Sequence, residues 1–174
     1  MVPRNLLKKN KTIGDWVEII EQKFDNKPFT EQLEHISNYL NIVSDKELSI
    51  LKEAIIEREG KRLGVTSFDD ACNKLGISTD LSHFSKINDE FKEQQIAFYK
   101  LSIIIRVLNN GWIPNWKDSN EKKWFNYWNL GFSDYRTSYY STSTSVPSAL
   151  YLKNKELCEY VKVRFESLYN NLHK

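Results

Sequence analysis

The sequence predicts an α+β fold, with a helical N-terminal unit, a central buried helix, a small antiparallel sheet and a C-terminal helix. Three observations carry this reading. Apolar residues recur at helical spacing between capping signals over residues 12–64. The run LSIIIRVL, Leu101 to Leu108, is apolar nearly all round, the mark of a helix enclosed by the rest of the fold. The forty residues from Trp112 to Tyr151 hold eleven of the chain's 23 aromatics, mixed with Tyr, Ser, Thr and Asn rather than Leu and Val. Part of that segment alternates aromatic and small polar residues, as strands do.

Residues 1–11 are basic through Arg4, Lys8, Lys9 and Lys11, lack a sustained period, and read as a flexible arm. Thr12 with Asp15 resembles a capping box, and Ile13, Trp16, Val17, Ile20 and Phe24 follow on one helical face. After the turn-like Asp25-Asn26-Lys27-Pro28, Thr30 is placed to cap a second helix with Leu33, Ile36, Leu40 and Val43 on its apolar side. A third helix starts at Ser44 with Glu47 completing the box, holds Leu48, Leu51 and Ile55 on its core side, and ends near Gly60. Gly60 to Gly64 then divides a three-helix unit, 12–64, from an α+β domain, 65–174.

In that domain SFDDACNKL, Ser67 to Leu75, reads as a short helix with Phe68, Ala71, Cys72 and Leu75 on one face and Gly76 just past its end. The strongest helix spans Asn88 to Asn109 and is stopped by Asn110-Gly111 and Pro114. Lys123 to Leu130 fits either a strand or a helical face built from Trp124, Tyr127 and Trp128, and is read as extended. Phe132 to Val146 reads as a strand, with Tyr135, Thr137 and Tyr139 on one face and Arg136, Tyr140 and Thr142 on the other. Ala149 to Leu152 reads as a second short strand, and a helix from Asn154 uses Leu157, Tyr160, Val161, Phe165, Leu168 and Leu172.

At 174 residues the chain can bury one sizeable core, and 28% charged residues without a long like-charge run argue against disorder. A net charge of +2 is too small to imply nucleic acid by itself. Cys72 and Cys158 are far apart and lie on apolar helix sides, which makes them buried hydrophobes in a reducing interior rather than a disulfide. No run approaches the ~18 apolar residues of a membrane span, so the chain reads as cytoplasmic.

The chemistry for catalysis is thin. His35, His83 and His173 pair with no other ligand at metal spacing, and Walker, GxGxxG and GxSxG patterns are missing, so no metal, cofactor or enzyme activity is expected. The pairs Asp69-Asp70 and Asp89-Glu90 fall in first helical turns, where carboxylates complement the dipole. DACNKLGIS resembles the start of a helix-turn-helix, but the following TDLSHFSKIND is polar, short and nearly devoid of basic residues. The aromatic segment points instead to binding. Trp116, Lys123, Trp124, Tyr135, Arg136, Tyr139 and Tyr140 form the expected contact set for a protein partner, because Tyr and Trp bury much area at little entropic cost. The same rings beside Lys117, Lys122, Lys123 and Arg136 would also suit single-stranded nucleic acid.

The ordered features GW.P.W (Gly111, Trp112, Pro114, Trp116), Asn120, Glu121, Lys123, Trp124 and Phe125, then Lys153, Glu156, Leu157, Glu159 and Tyr160, then Phe165, Leu168 and Tyr169 resemble an uncharacterised family from phages and prophages of Bacteroidetes-type bacteria. The resemblance covers residues 67 to the C-terminus; members read like SFEDACKALG and LKIIIKALNEGW where this chain has SFDDACNKLG and LSIIIRVLNNGW. It departs in having no Pro within Trp124-Phe125-Asn126-Tyr127, and in Ser145-Val146-Pro147-Ser148-Ala149-Leu150 where relatives carry a VGSRL-type segment with an Arg. The resemblance implies a small protein of a mobile genetic element, and such proteins act by binding and blocking or as accessory parts of particles and DNA transactions. The expected function is therefore non-catalytic binding, as an inhibitor of a host defence system through protein contact. A single-stranded nucleic-acid-binding accessory and a structural phage accessory are the alternatives.

Overall fold

A computed structural model describes residues 22, 27–37, 45–87 and 91–172. The basic arm, the helix expected from Thr12, Leu40, Val43, the Ser44 cap, the Asn88 start, Asp89, Glu90 and His173 lie outside the described residues, as do the side chains of His35, Ile36 and Glu47. The chain groups into two compact units that divide between Arg62 and Leu63.

The first unit contributes α1 (Phe29–Ser37) and most of α2 (Asp45–Leu63). α1 starts one residue before Thr30, so Thr30 lies in its first turn instead of capping it. Pro28 supplies the first carbonyl, accepting from Gln32 N–H at 3.1 Å, and the Gln32 side chain reaches back to the Lys27 carbonyl at 2.6 Å. α2 passes through Gly60, which is buried, and stops only at Gly64, whose φ of +66° is left-handed. An interior glycine costs a helix about 1 kcal/mol. The Glu59–Arg62 fork, at 2.8 and 2.6 Å, staples the turn around it, and Lys61 and Arg62 complement the helix dipole. Leu48, Leu51, Ala54 and Ile55 form the buried stripe of α2.

The second unit opens with a tight cap. In α3 (Phe68–Leu75) Ser67 Oγ accepts from Asp70 N–H at 3.0 Å, while the Asp70 carboxylate accepts from the Thr66 hydroxyl at 2.6 Å and Thr66 N–H at 2.8 Å. Those bonds, with the Thr66 hydroxyl first, hold the Asp70 carboxyl below its ordinary value. Gly76 (φ +64°) ends the helix, and Ile77 N–H returns to the Cys72 carbonyl at 3.1 Å. Beyond it the chain makes a 3₁₀ turn over Ser82–Lys86, with exposed His83, where a recognition helix would have to begin.

α4 (Lys92–Asn109) is the spine of this unit, and α3 packs along it with Phe68 edge-on to Tyr99 at 6.1 Å. Its buried residues are Ala97, Leu101, Ile104, Ile105, Leu108 and Asn109, whereas Arg106 is exposed and Ser102, Ile103 and Val107 are half-buried. The helix is thus one wall of the core rather than enclosed all round. Arg106 breaks the apolar circumference, and the stripe at three- and four-residue spacing is what the neighbours cover.

β1 (Lys123–Asn129) and β2 (Asp134–Tyr140) form an antiparallel hairpin, from Lys123↔Tyr140 to Asn129↔Asp134 without a bulge. The extended reading of residues 123–130 therefore holds, but the second strand stops six residues short of Val146. Its end is pinned because the Ser141 carbonyl accepts from Lys123 Nζ at 3.2 Å, and beyond it Ser145 N–H turns to the Tyr151 hydroxyl at 3.0 Å. The strand expected over residues 149–152 reduces to one bridge, Leu152 with Trp124, after a 3₁₀ turn at Ser148–Leu150. A side chain replaces the next strand there. Asn109 Nδ2 donates to the Tyr151 carbonyl at 2.8 Å and its Oδ1 accepts from Lys153 N–H at 3.1 Å, in the manner of a peptide group.

The C-terminal helix is two. α5 (Lys155–Arg164), capped by Asn154, packs on the sheet and ends where Phe165 leaves helical geometry; α6 (Glu166–Asn171) then runs against α4. The break lets Phe165 and Tyr169 both enter the core. Tyr160 OH donates to the Val65 carbonyl at 2.6 Å and Arg164 Nε to the Thr66 carbonyl at 2.9 Å, which ties residues 65–66 to α5. Cys72 and Cys158 are both buried free thiols. Among the described residues no helix is long and apolar enough to cross a membrane.

Between the sheet and these helices lie three protonated groups, Tyr135, Tyr169 and Cys158. Burial disfavours the charged form and raises the pKa of each above its ordinary value. In the unfolded chain a thiol ionises near ~8.5 and a phenol near ~10. Above those values the unfolded state holds fewer protons than the folded one, so stability falls as pH rises. The urea midpoint is expected to drop between pH 7 and pH values of about 10.5, and a level midpoint would place these groups in water.

Candidate interaction surface

The alternation of the hairpin sorts its side chains onto two faces. Trp124, Asn126 and Trp128 share one face with Tyr139, Thr137 and Tyr135, the side on which α5 lies. Lys123, Phe125, Tyr127 and Asn129 share the other with Tyr140, Ser138, Arg136 and Asp134. Because Leu152 bridges Trp124, its neighbour Tyr151 falls on this second, outer face.

Rings tile the outer face. Trp116 meets Tyr151 edge-on at 5.2 Å, Tyr151 meets Phe125 at 5.5 Å, and Phe125 carries Tyr140 at 5.0 Å and Tyr127 at 6.0 Å. Phe125 and Tyr151 are buried beneath, while Trp116, Tyr127 and Tyr140 stand 43%, 37% and 40% exposed. The result is an aromatic strip along a hairpin about 20 Å long, resting on rings that cannot move independently.

Lys123 holds the end of this strip, although it never reaches solvent. It is 0% exposed, and its Nζ donates to the carbonyls of Asp118 at 2.7 Å, Glu121 at 2.9 Å and Ser141 at 3.2 Å, with Glu121 Oε2 at 3.4 Å. Every ammonium proton has an acceptor. Glu121 in turn accepts from Trp112 Nε1–H at 3.0 Å and Asn115 N–H at 2.8 Å. Burial alone would raise its carboxyl, but these donors and Lys123 hold it below the ordinary value. The loop that presents Trp116 is thereby clamped, and the Lys123 ammonium lies 5.6 Å from the Trp116 ring.

At the other end the turn is set by Asn129, whose Oδ1 accepts from Gly131 N–H at 3.0 Å and Phe132 N–H at 3.2 Å, and by Ser133 at φ +51°. It projects Leu130, 86% exposed, and Phe132, 69% exposed. Arg136 covers Phe132 at 4.3 Å and donates through Nε to Asp134 at 2.9 Å.

Of the residues expected to contact a partner, Trp116, Arg136, Tyr139 and Tyr140 are exposed and Trp124 is half-buried against Tyr139 at 4.9 Å. Two expectations are corrected. Lys123 is interior because its charge is spent on three carbonyls, and Tyr135 is interior because its hydroxyl donates to the Tyr169 carbonyl and its ring packs on Tyr169 at 4.9 Å. Tyr139 also lies on the face toward α5, apart from Trp116 and Tyr140, with Lys122 Nζ 4.6 Å over its ring. Sequence reasoning missed Tyr127, Leu130 and Phe132. A large apolar residue on each side of Gly131 in a turn was the available signal for the last two.

Among the described residues no group of three or more His, Cys, Asp and Glu could hold a metal ion. A shallow cleft of about 450 Å³ is lined by Phe84, Gln94, Gln95, Phe98, Tyr99, Ser102 and Leu172, which include no carboxylate, imidazole, amine or thiol. No protein-family model, curated protein or solved structure matches the chain.

Proposed function

We propose that this chain is a non-catalytic binding protein that grips a protein partner with the outer aromatic face of its hairpin. One observation carries the reading: Trp116, Tyr127 and Tyr140 are exposed on a base of buried rings. Rings already fixed by packing lose little entropy on contact, and exposed Ser and Thr over residues 142–145 supply adaptable hydrogen bonding beside them. The resemblance to phage and prophage proteins gives the finer form of the proposal, an inhibitor of a host defence system that acts by covering a host protein.

The test is capture from a lysate of the natural host with tagged protein, after nuclease treatment, followed by affinity measurement with Trp116→Ala and Tyr127→Ala together. These positions avoid the outer edge of the sheet. Affinity should fall at least about tenfold, with the thermal melt shifted by only a few degrees; retained affinity would remove the outer face from the contact. A second reading has its own observation, the cations poised on exposed rings at Tyr139 and Phe132. Binding of single-stranded nucleic acid through them would weaken steeply with salt, whereas an aromatic protein contact would not.

A further inference from the structure

We infer that two copies of this chain join edge to edge along β2, antiparallel about Ser138, to form one continuous sheet. Trp124 N–H and C=O both bond to Leu152, at 3.0 and 2.7 Å, so they point away from β2. In an antiparallel ladder without a bulge, residues opposite such a position also turn their peptide groups outward, and so does every second residue. Tyr139 and, two residues before it, Thr137 therefore direct their N–H and C=O groups away from β1, and no described residue bonds to them. The sheet order leaves β2 as the outer strand, since the Leu152 bridge lies on the far side of β1.

Edge strands are ordinarily protected by a proline, a lysine, a bulge or brevity. The stretch Thr137-Ser138-Tyr139-Tyr140 has none of these, and it is uncharged, aromatic and β-branched. A peptide backbone is the chemistry that matches its alternate outward groups, and the strand is complementary to itself. In the register about Ser138, Thr137 of each copy exchanges two hydrogen bonds with Tyr139 of the other. Ser138 meets Ser138 on the axis, small enough for close approach. Arg136 of each copy then lies directly across from Tyr140 of the other on the outer face, a reciprocal cation and ring pairing. A register about Arg136 would oppose like charges. One about Thr137 would push Tyr139 of one copy beside buried Tyr135 of the other, on the face α5 occupies. The two-fold axis is perpendicular to the sheet, so both aromatic outer faces end on one side. The inference concerns the strand edge and stands without the proposed function.

Sedimentation velocity of the full chain over a range of concentrations tests it, and a dimer is expected. Thr137→Pro removes an outward N–H without touching the β1–β2 ladder, and Thr137→Val keeps that N–H while losing the same hydroxyl. The proline variant should be monomeric with a melt matching the valine variant, which should still dimerise. Ser138→Glu and Ser138→Lys should each weaken the dimer about fivefold by opposing like charges on the axis, and their mixture should restore it. A monomeric parent chain would overturn the inference. So would a dimer indifferent to Thr137→Pro, or one that Ser138→Glu strengthens, since that substitution faces Arg136 in the register about Thr137.

Discussion

Lys123→Met is expected to lower the unfolding free energy by about 3 kcal/mol, a larger loss than any exposed position of the aromatic face should give. Methionine fills a similar volume, so the loss isolates the ammonium. Without it the carbonyls of Asp118, Glu121 and Ser141 lose a common donor, and the Glu121 carboxylate keeps Trp112 and Asn115 but loses its cation. Partial hydration of the loosened loop keeps the cost below the desolvation of all three carbonyls. For a chain of this size the melt should fall by about 10 °C. The Trp116 ring, clamped beside Lys123 and Tyr151, should become more accessible to a fluorescence quencher. A variant within about 0.5 kcal/mol of the parent would mean that Lys123 is hydrated.

Local signals carried the helices well where the cap was written in neighbouring residues. Ser67, Asp70 and Gly76 bracket α3, and Asn154 caps α5 through Leu157 N–H at 2.9 Å. They failed where a distant group decided the outcome. Gly60 looks like a terminator, yet the Glu59–Arg62 pair carries α2 to Gly64. Ala149 to Leu152 has strand composition, but Asn109, more than forty residues earlier, takes the hydrogen bonds a further strand would need. Phe165 has helical spacing, yet the helix breaks at it, and the break admits both Phe165 and Tyr169 to the core.

The aromatic surface was legible as a segment and not as a face. Alternation along β2 separates Tyr139 from Tyr140, but it cannot say which of the two faces meets α5. Lys123 reads in sequence as one more solvated cation beside Lys122, since only the fold brings three carbonyls to it. Tyr127 was available as part of an aromatic run, but only the fold leaves it exposed while its same-face neighbour Phe125 is buried.

Asn126→Ala is expected to cost about 3 kcal/mol, and it separates the hairpin from its helices rather than loosening a loop. Asn126 is buried, and all the hydrogen-bonding capacity of its side chain is used, three bonds reaching the helices and one the neighbouring strand. Its Nδ2 donates to the Cys158 carbonyl and the Tyr169 hydroxyl, each at 3.0 Å, and its Oδ1 accepts from Thr137 Oγ1 at 2.7 Å and Cys158 Sγ at 3.3 Å. Alanine leaves the buried Tyr169 phenol and the half-buried Thr137 hydroxyl with fewer partners, and a space the size of the lost amide. Hydrophobic replacement does not repair this, because Asn126→Leu fills the space yet still strands both hydroxyls. Tyr169→Phe supplies the control. In the parent it removes one bond to Asn126 and should cost about 1 kcal/mol, but in the Asn126→Leu background it should cost little or recover stability. That coupling is the signature of a polar tie holding the sheet to α5 and α6. Additive losses from urea denaturation would show instead that Asn126 and Tyr169 act independently, and that apolar packing alone fixes the aromatic face in place.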